Sequence, residues 1–268
     1  MAIVVVMRGG LGDIVLAQRA LSELKSNLTP GGELHVATEP RYADIFLCSP
    51  AVDRVLLVDG ARAAKRLRQR LEEEGHVVYS LDHPFSGQRR RRDSLHIAER
   101  IDEILGTSAS GLRPEMWVPP VSLGRPHAIL TWASSSERKL PNRADREAIR
   151  SHFEGTCARM GLEPFVIGQP IDDAPPERLW QGSLLVLCGA VRGASLYFGC
   201  DTGFSHVAST AGVPSAICHI GLPLARCGVR GAAADILHYE NGGAVDVERV
   251  RALIAAAARR VPPRGEMG

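Results

Sequence analysis

The chain has 268 residues, 45% of them hydrophobic and 23% charged, which is the balance of an ordinary soluble protein with room for one large or two modest domains. A net charge of +2 and only 5% aromatic residues argue against a nucleic-acid partner, which would call for a basic surface and base-stacking rings. No apolar run approaches ~18 residues, so no membrane-spanning helix is expected. The N-terminal apolar run is also too short for a secretory signal and lacks a small-residue cleavage site. Six scattered cysteines (Cys48, Cys157, Cys188, Cys200, Cys218, Cys227) form no C-x-x-C pair. That spacing predicts no zinc site and reduced thiols in a cytoplasmic protein rather than a disulfide framework.

Taken in order, the elements alternate. Ala2 to Met7 is a β-branched run suited to a buried parallel strand. Arg8-Gly9-Gly10-Leu11-Gly12-Asp13 follows, and Ile14, Leu16, Ala17, Ala20, Leu21 and Leu24 then recur at helical spacing. Further strands are predicted over residues 33–37, 54–58 and 76–81, with helices over 41–47, 61–75 and 95–105. Gly106 is positioned as a C-cap, and His96 reads as a surface residue. Residues 107–125, with Pro114, Pro119 and Pro120, read as a linker.

A second set follows: a strand over 128–132, a helix over 145–160, a strand over 164–168 and a helix from Leu184. The run 194–199 leads into Cys200-Asp201-Thr202-Gly203-Phe204-Ser205-His206-Val207-Ala208, then a strand over 213–218 and a terminal helix over 247–260. Such alternation predicts an α/β fold with two parallel sheets, one per domain, with domains at 1–121 and 122–268 whose strand-end clefts face each other.

Two turns carry the chemistry. The glycines of the first, Gly10 and Gly12 among them, allow a tight turn and close approach of backbone to a substrate. Their spacing is not that of a dinucleotide fingerprint. Asp13 opens the helix, either as a cap or as a carboxylate held above a strand end. In the second turn, helix-start amides after Asp201 suit a phosphate. Thr202 adds a hydroxyl, and His206 lies one turn along; the plainer alternative makes Asp201 an N-cap and His206 a packed histidine.

These residues resemble the family-9 glycosyltransferases, the ADP-heptose:lipopolysaccharide heptosyltransferase group. The resemblance rests on Arg8 to Asp13, Leu24-Lys25, and Asp201-Thr202-Gly203 with His206 and Ala208. More diffuse similarity follows in order at Ser49 to Val55, Leu112-Arg113-Pro114, and Ser134-Ser135-Ser136 with Lys139 and Pro141. The resemblance implies a GT-B fold of two Rossmann-like domains, with the acceptor on the first and the nucleotide sugar on the second. It implies catalysis without a metal or other cofactor, Asp13 as base, and Asp201, Thr202, Gly203 and His206 as the donor-binding turn. Ser135 and Lys139 would contact the donor phosphates. The chain departs from the family at Gln18-Arg19, where Thr-Pro is usual. It also lacks a glutamate in Gly168 to Asp173, where Asp172 or Asp173 would have to substitute.

A sugar hydroxyl does not ionise beforehand, so a positioned carboxylate must take its proton as the bond forms. The departing diphosphate gains charge, which fixed amides, a hydroxyl and an ammonium stabilise. No second carboxylate is evident for a covalent intermediate, so the expected outcome is inversion. Lys139 and Ser135 also read as ordinary polar loop residues, and Arg89-Arg90-Arg91-Arg92 either as a solvated loop or as a contact for an anionic glycolipid acceptor or membrane surface. The expected partners are therefore a nucleotide sugar, possibly ADP-heptose, and a saccharide or lipopolysaccharide-core acceptor. Two other classes stay open: a nucleotide-sugar epimerase, and a non-catalytic nucleotide-sugar-binding protein.

Overall fold

A computed structural model of the chain describes residues 2–81, 95–132, 140–167, 182–221, 223–231, 233–239 and 245–262. The chain divides into two compact units, Met1–Val118 and Pro119–Gly268.

The first unit is built on a four-stranded parallel sheet. β1 (Ala2–Met7) lies between β2 (Glu33–Thr38) and β4 (Val77–Ser80), and β3 (Arg54–Leu57) flanks β2, giving the order β3-β2-β1-β4. The β-branched run of β1 is buried on both faces because it occupies the sheet interior. Its register sets Ile3 beside Leu34 and Val77. α1 (Leu11–Ser26) follows β1 directly and buries Ile14, Ala17, Leu21 and Leu24, the residues whose spacing predicts the helix. One sheet face packs Val4, Val6, Ala37 and Val58 against Ala64 and Leu71 of α3 (Gly60–Glu73). α2 (Ala43–Leu47) sits between β2 and β3.

α4 (Ile97–Leu105) ends at Gly106, whose φ of +69° is the left-handed C-cap conformation glycine adopts most readily. His96 is not a surface residue. It is buried, and its Nδ1 accepts the Ala98 N–H at 3.1 Å while Glu99 accepts the His96 N–H at 2.9 Å. A reciprocal cap of this kind satisfies two donors at the helix start. The first part of the expected linker is also ordered. The buried Asp102 carboxylate accepts from the Thr107 hydroxyl and from the amides of Ala109 and Ser110 at 2.5, 3.1 and 2.6 Å.

The second unit holds a five-stranded parallel sheet. Its strands are β5 (His127–Thr131), β6 (Glu163–Ile167), β7 (Leu196–Cys200), β8 (Ser215–Ile220) and β9 (Ala234–Tyr239), in the order β6-β5-β7-β8-β9. Even-numbered positions face one way: Leu130, Trp132, Phe198, Cys200, Cys218 and Ile220 pack against α5 (Arg143–Met160) and α9 (Val247–Ala258). Trp132 and Phe198 meet edge to face at 5.4 Å. The alternation of strand side chains sends Tyr197, Gly199 and His219 to the other face. α6 (Leu184–Arg192), α7 (Gly203–Ala211) and the short α8 (Leu224–Cys227) complete the unit. β9 is absent from the sequence expectation. It is an edge strand whose Asp235 and His238 break the apolar alternation, and charged residues of this kind protect exposed sheet edges.

Candidate functional site

Both motif turns stand at the carboxyl end of an inner strand. In the first unit the chain leaves β1 for β2 on one side and returns as β4 on the other. In the second, β6 and β7 lie on opposite sides of β5. Such a reversal of strand order is the position where open α/β sheets take ligands.

In the first unit Gly10 is the N-cap of α1 and Asp13 is its third residue. The Gly10 N–H donates to Asp13 Oδ2 at 2.8 Å, so one carboxylate oxygen satisfies the helix start. The loop is wrapped tightly around this carboxylate: a Cβ on Gly9 would lie 2.5 Å from Asp13 Oδ2. The capping role is therefore real, and the half-buried carboxyl also has neighbours that sequence reasoning missed. Tyr42 follows β2 and lies close enough to feel the Asp13 charge. Its phenol is pushed above its ordinary value chiefly by burial, with Glu39 and Asp13 adding to the push and Arg41 opposing it. The Arg41 guanidinium stacks on the Tyr42 ring at 4.6 Å and pairs with Glu39 at 2.8 Å. Arg8 reaches Glu39 at 3.9 Å. A single isolated Tyr carries no motif in the sequence; the parallel pairing of β1 with β2 brings Tyr42 near Asp13.

In the second unit, Asp201 follows β7 and its N–H donates to the Cys218 carbonyl at 3.0 Å. That bond extends the ladder by a residue and sets Asp201 beside His219. The N-cap of α7 is Thr202, not Asp201, with extended backbone at φ −137°, ψ 167°. Asp201 is buried, with its Oδ1 3.4 Å from His219 Nδ1. Gly203 is the first residue of α7, and His206 is buried one turn on. Beneath the turn, the Tyr197 hydroxyl and Ser205 Oγ lie 3.1 Å apart, and Ser205 Oγ donates to the Cys200 carbonyl at 2.6 Å. Burial raises the Tyr197 phenol far above its usual range, so it stays protonated. Gly199 makes this floor possible, because a Cβ there would come within 2.4 Å of the Tyr197 hydroxyl oxygen.

The structure thus brings Gly10, Gly12 and Asp13 together in one unit, and Asp201, Thr202, Gly203 and His206 together in the other. Ser135 and Lys139 lie outside the described residues, as do Arg89 to Arg92, Asp172 and Asp173. β5 ends at Thr131, which pairs with Gly199 of β7. Sequence spacing predicted no metal ligands, yet Asp201, His219 and Cys227 present donor atoms within 4.8 Å of one another. Among the described residues, no helix is long and apolar enough to cross a membrane.

No family model matches the chain, and no curated protein matches its sequence. Solved structures do match. The E. coli ADP-heptose LPS heptosyltransferase II aligns at TM-score 0.72 and 15% identity, over 97% of this chain and 99% of its own. A glycosyl transferase of family 9 from Veillonella parvula aligns at 0.69 and 18%, over 96% and 97%. The E. coli heptosyltransferase WaaC, solved with ADP, aligns at 0.68 and 17%, over 96% and 100%. The likeness is one of fold, and it gives this chain the α/β, GT-B-type fold of the heptosyltransferases.

Proposed function

We propose that the protein is a glycosyltransferase that moves a sugar, heptose by its structural likeness, from a nucleotide sugar to a saccharide or glycolipid acceptor, with inversion. The observation that carries this reading is the placement of both motif turns at strand ends beside a reversal of strand order, in a chain that shares its fold with heptosyltransferases. The first unit, by this reading, holds the acceptor. Asp13 takes the proton of the attacking hydroxyl through the carboxyl edge not engaged by Gly10, and the start of α1 favours its ionised form. Tyr42, kept protonated, and Arg41 offer donors to acceptor oxygens.

The second unit holds the donor. Amides at the start of α7, the Thr202 hydroxyl and Lys139 receive the diphosphate as it gains charge, an arrangement that favours the transition state over the ground state. A single displacement at the anomeric carbon, with no covalent intermediate, inverts its configuration. The reading places the protein in the cytoplasm, where nucleotide sugars are made, and assigns Arg89 to Arg92 to an anionic acceptor or membrane surface.

Thermal shift against ADP-, GDP-, UDP- and dTDP-sugars tests the donor half, because a ligand that binds only the folded state raises its stability by mass action. An ADP-sugar, ADP-heptose foremost, is expected to raise the midpoint most. No shift with any of them would refute the reading. Conversion of the donor without acceptor would mark an epimerase instead.

A further inference from the structure

Asp201, His219 and Cys227 come from three different elements: the turn after β7, the strand β8 and the end of α8. All three side chains are buried, at 6, 0 and 8% exposure. His219 Nδ1 lies 3.4 Å from Asp201 Oδ1, and His219 Nε2 lies 3.9 Å from Cys227 Sγ. Two arrangements share such contacts. In a linear relay, imidazole separates carboxylate and thiol, which then sit on far sides of the ring. Here one donor atom from each of the three residues lies within 4.8 Å of the other two. The donor atoms are therefore clustered rather than strung out along a line, and an ion would use one of the two imidazole nitrogens.

We infer that this cluster is a binding site for a first-row divalent cation of the zinc class. A four-coordinate ion with metal–ligand bonds of about 2.0–2.3 Å holds its donors roughly 3.3–3.7 Å apart, and the observed separations close to that range with side-chain shifts on the order of 1 Å. The donor set is a thiolate, an imidazole and a carboxylate, which suits Zn²⁺, Fe²⁺ or Co²⁺ and disfavours Mg²⁺ or Ca²⁺, ions that take oxygen. Charge also balances: one thiolate and one carboxylate neutralise a divalent ion, so the buried cluster carries no net charge. Three protein donors leave a fourth position for water or an anionic oxygen. The ion would tie the start of the Asp201 turn to β8 and α8. This inference does not depend on glycosyl transfer, since metal content is measured without donor or acceptor.

The test uses the whole chain, stripped with chelator and reconstituted with Co²⁺ under reducing, oxygen-free conditions. The expected result is roughly one ion retained per chain, with a thiolate-to-cobalt charge-transfer band in the near ultraviolet. Cys227→Ser should abolish the band. Cys157→Ser and Cys188→Ser should keep it, because burial pushes both of those thiols up to about 12 and holds them protonated. Absence of bound ion and band in the unsubstituted protein would overturn the inference without reference to any variant's folding. A band that survives in Cys227→Ser would overturn it equally.

Discussion

Replacement of Asp13 separates its capping role from its catalytic one. The carboxylate accepts the Gly10 N–H at 2.8 Å, and an asparagine keeps both the shape and an acceptor oxygen there. Asp13→Asn gives up the charge–dipole attraction at the start of α1, about 0.3–1 kcal/mol. Asp13→Ala also loses the hydrogen bond, a further ~0.5–1.5 kcal/mol. As a base, Asp13 contributes about 10²–10⁴ in rate, equivalent to roughly 2.7–5.4 kcal/mol of barrier at 1.36 kcal/mol per decade. Both variants should thus lose two or more decades of kcat, while urea midpoints rank the unsubstituted protein above Asn and Asn above Ala. Donor affinity by calorimetry should stay unchanged in both, because the donor turn belongs to the other unit. Asp13→Asn turnover within about threefold of the unsubstituted protein would leave Asp13 as a cap only and refute the assignment.

Gly199→Ala forces a methyl within 2.4 Å of the Tyr197 hydroxyl oxygen. It should cost about 1–3 kcal/mol of stability and weaken donor binding by disturbing the floor of the Thr202 turn, as read by urea melts and calorimetry. Gln18 is fully buried on α1 and both polar atoms of its amide lack a hydrogen-bond partner, so Gln18→Leu should raise stability by about 1–3 kcal/mol. Asp53 is held below the usual carboxylate range, first by its 2.6 Å bond to Lys25; burial opposes this, and the Leu34 N–H adds to the lowering. A depressed folded-state pKa stabilises above the unfolded value near 3.8 and is lost as pH falls through the folded one. Asp53→Asn should therefore lower stability at neutral pH by no more than about 1 kcal/mol, given the pair's exposure, with the difference shrinking as falling pH protonates the folded-state carboxyl.

The inner strands and both motif turns are legible in the sequence because their signals are local. Val4 to Val6 can only be a buried strand, and the glycines and Asp13 follow it without a gap. Asp201 to Gly203 likewise sit between two apolar runs. Local reading left the α7 cap open, since Asp201 and Thr202 are both good caps, and Thr202 takes that position in the structure. What escaped was long-range. Tyr42 comes near Asp13 through strand pairing, and Cys227 reaches His219 because α8 folds back after β8. His219 lies in an apolar strand, where its only local signature is strand parity.

The account's central claim is tested most directly by incubating the purified chain with ADP-heptose and a saccharide or lipopolysaccharide-core acceptor while following release of free ADP. The account predicts release that depends on acceptor, saturates with donor and disappears in Asp13→Asn. Binding of the donor with no acceptor-dependent release across the acceptor series would contradict it.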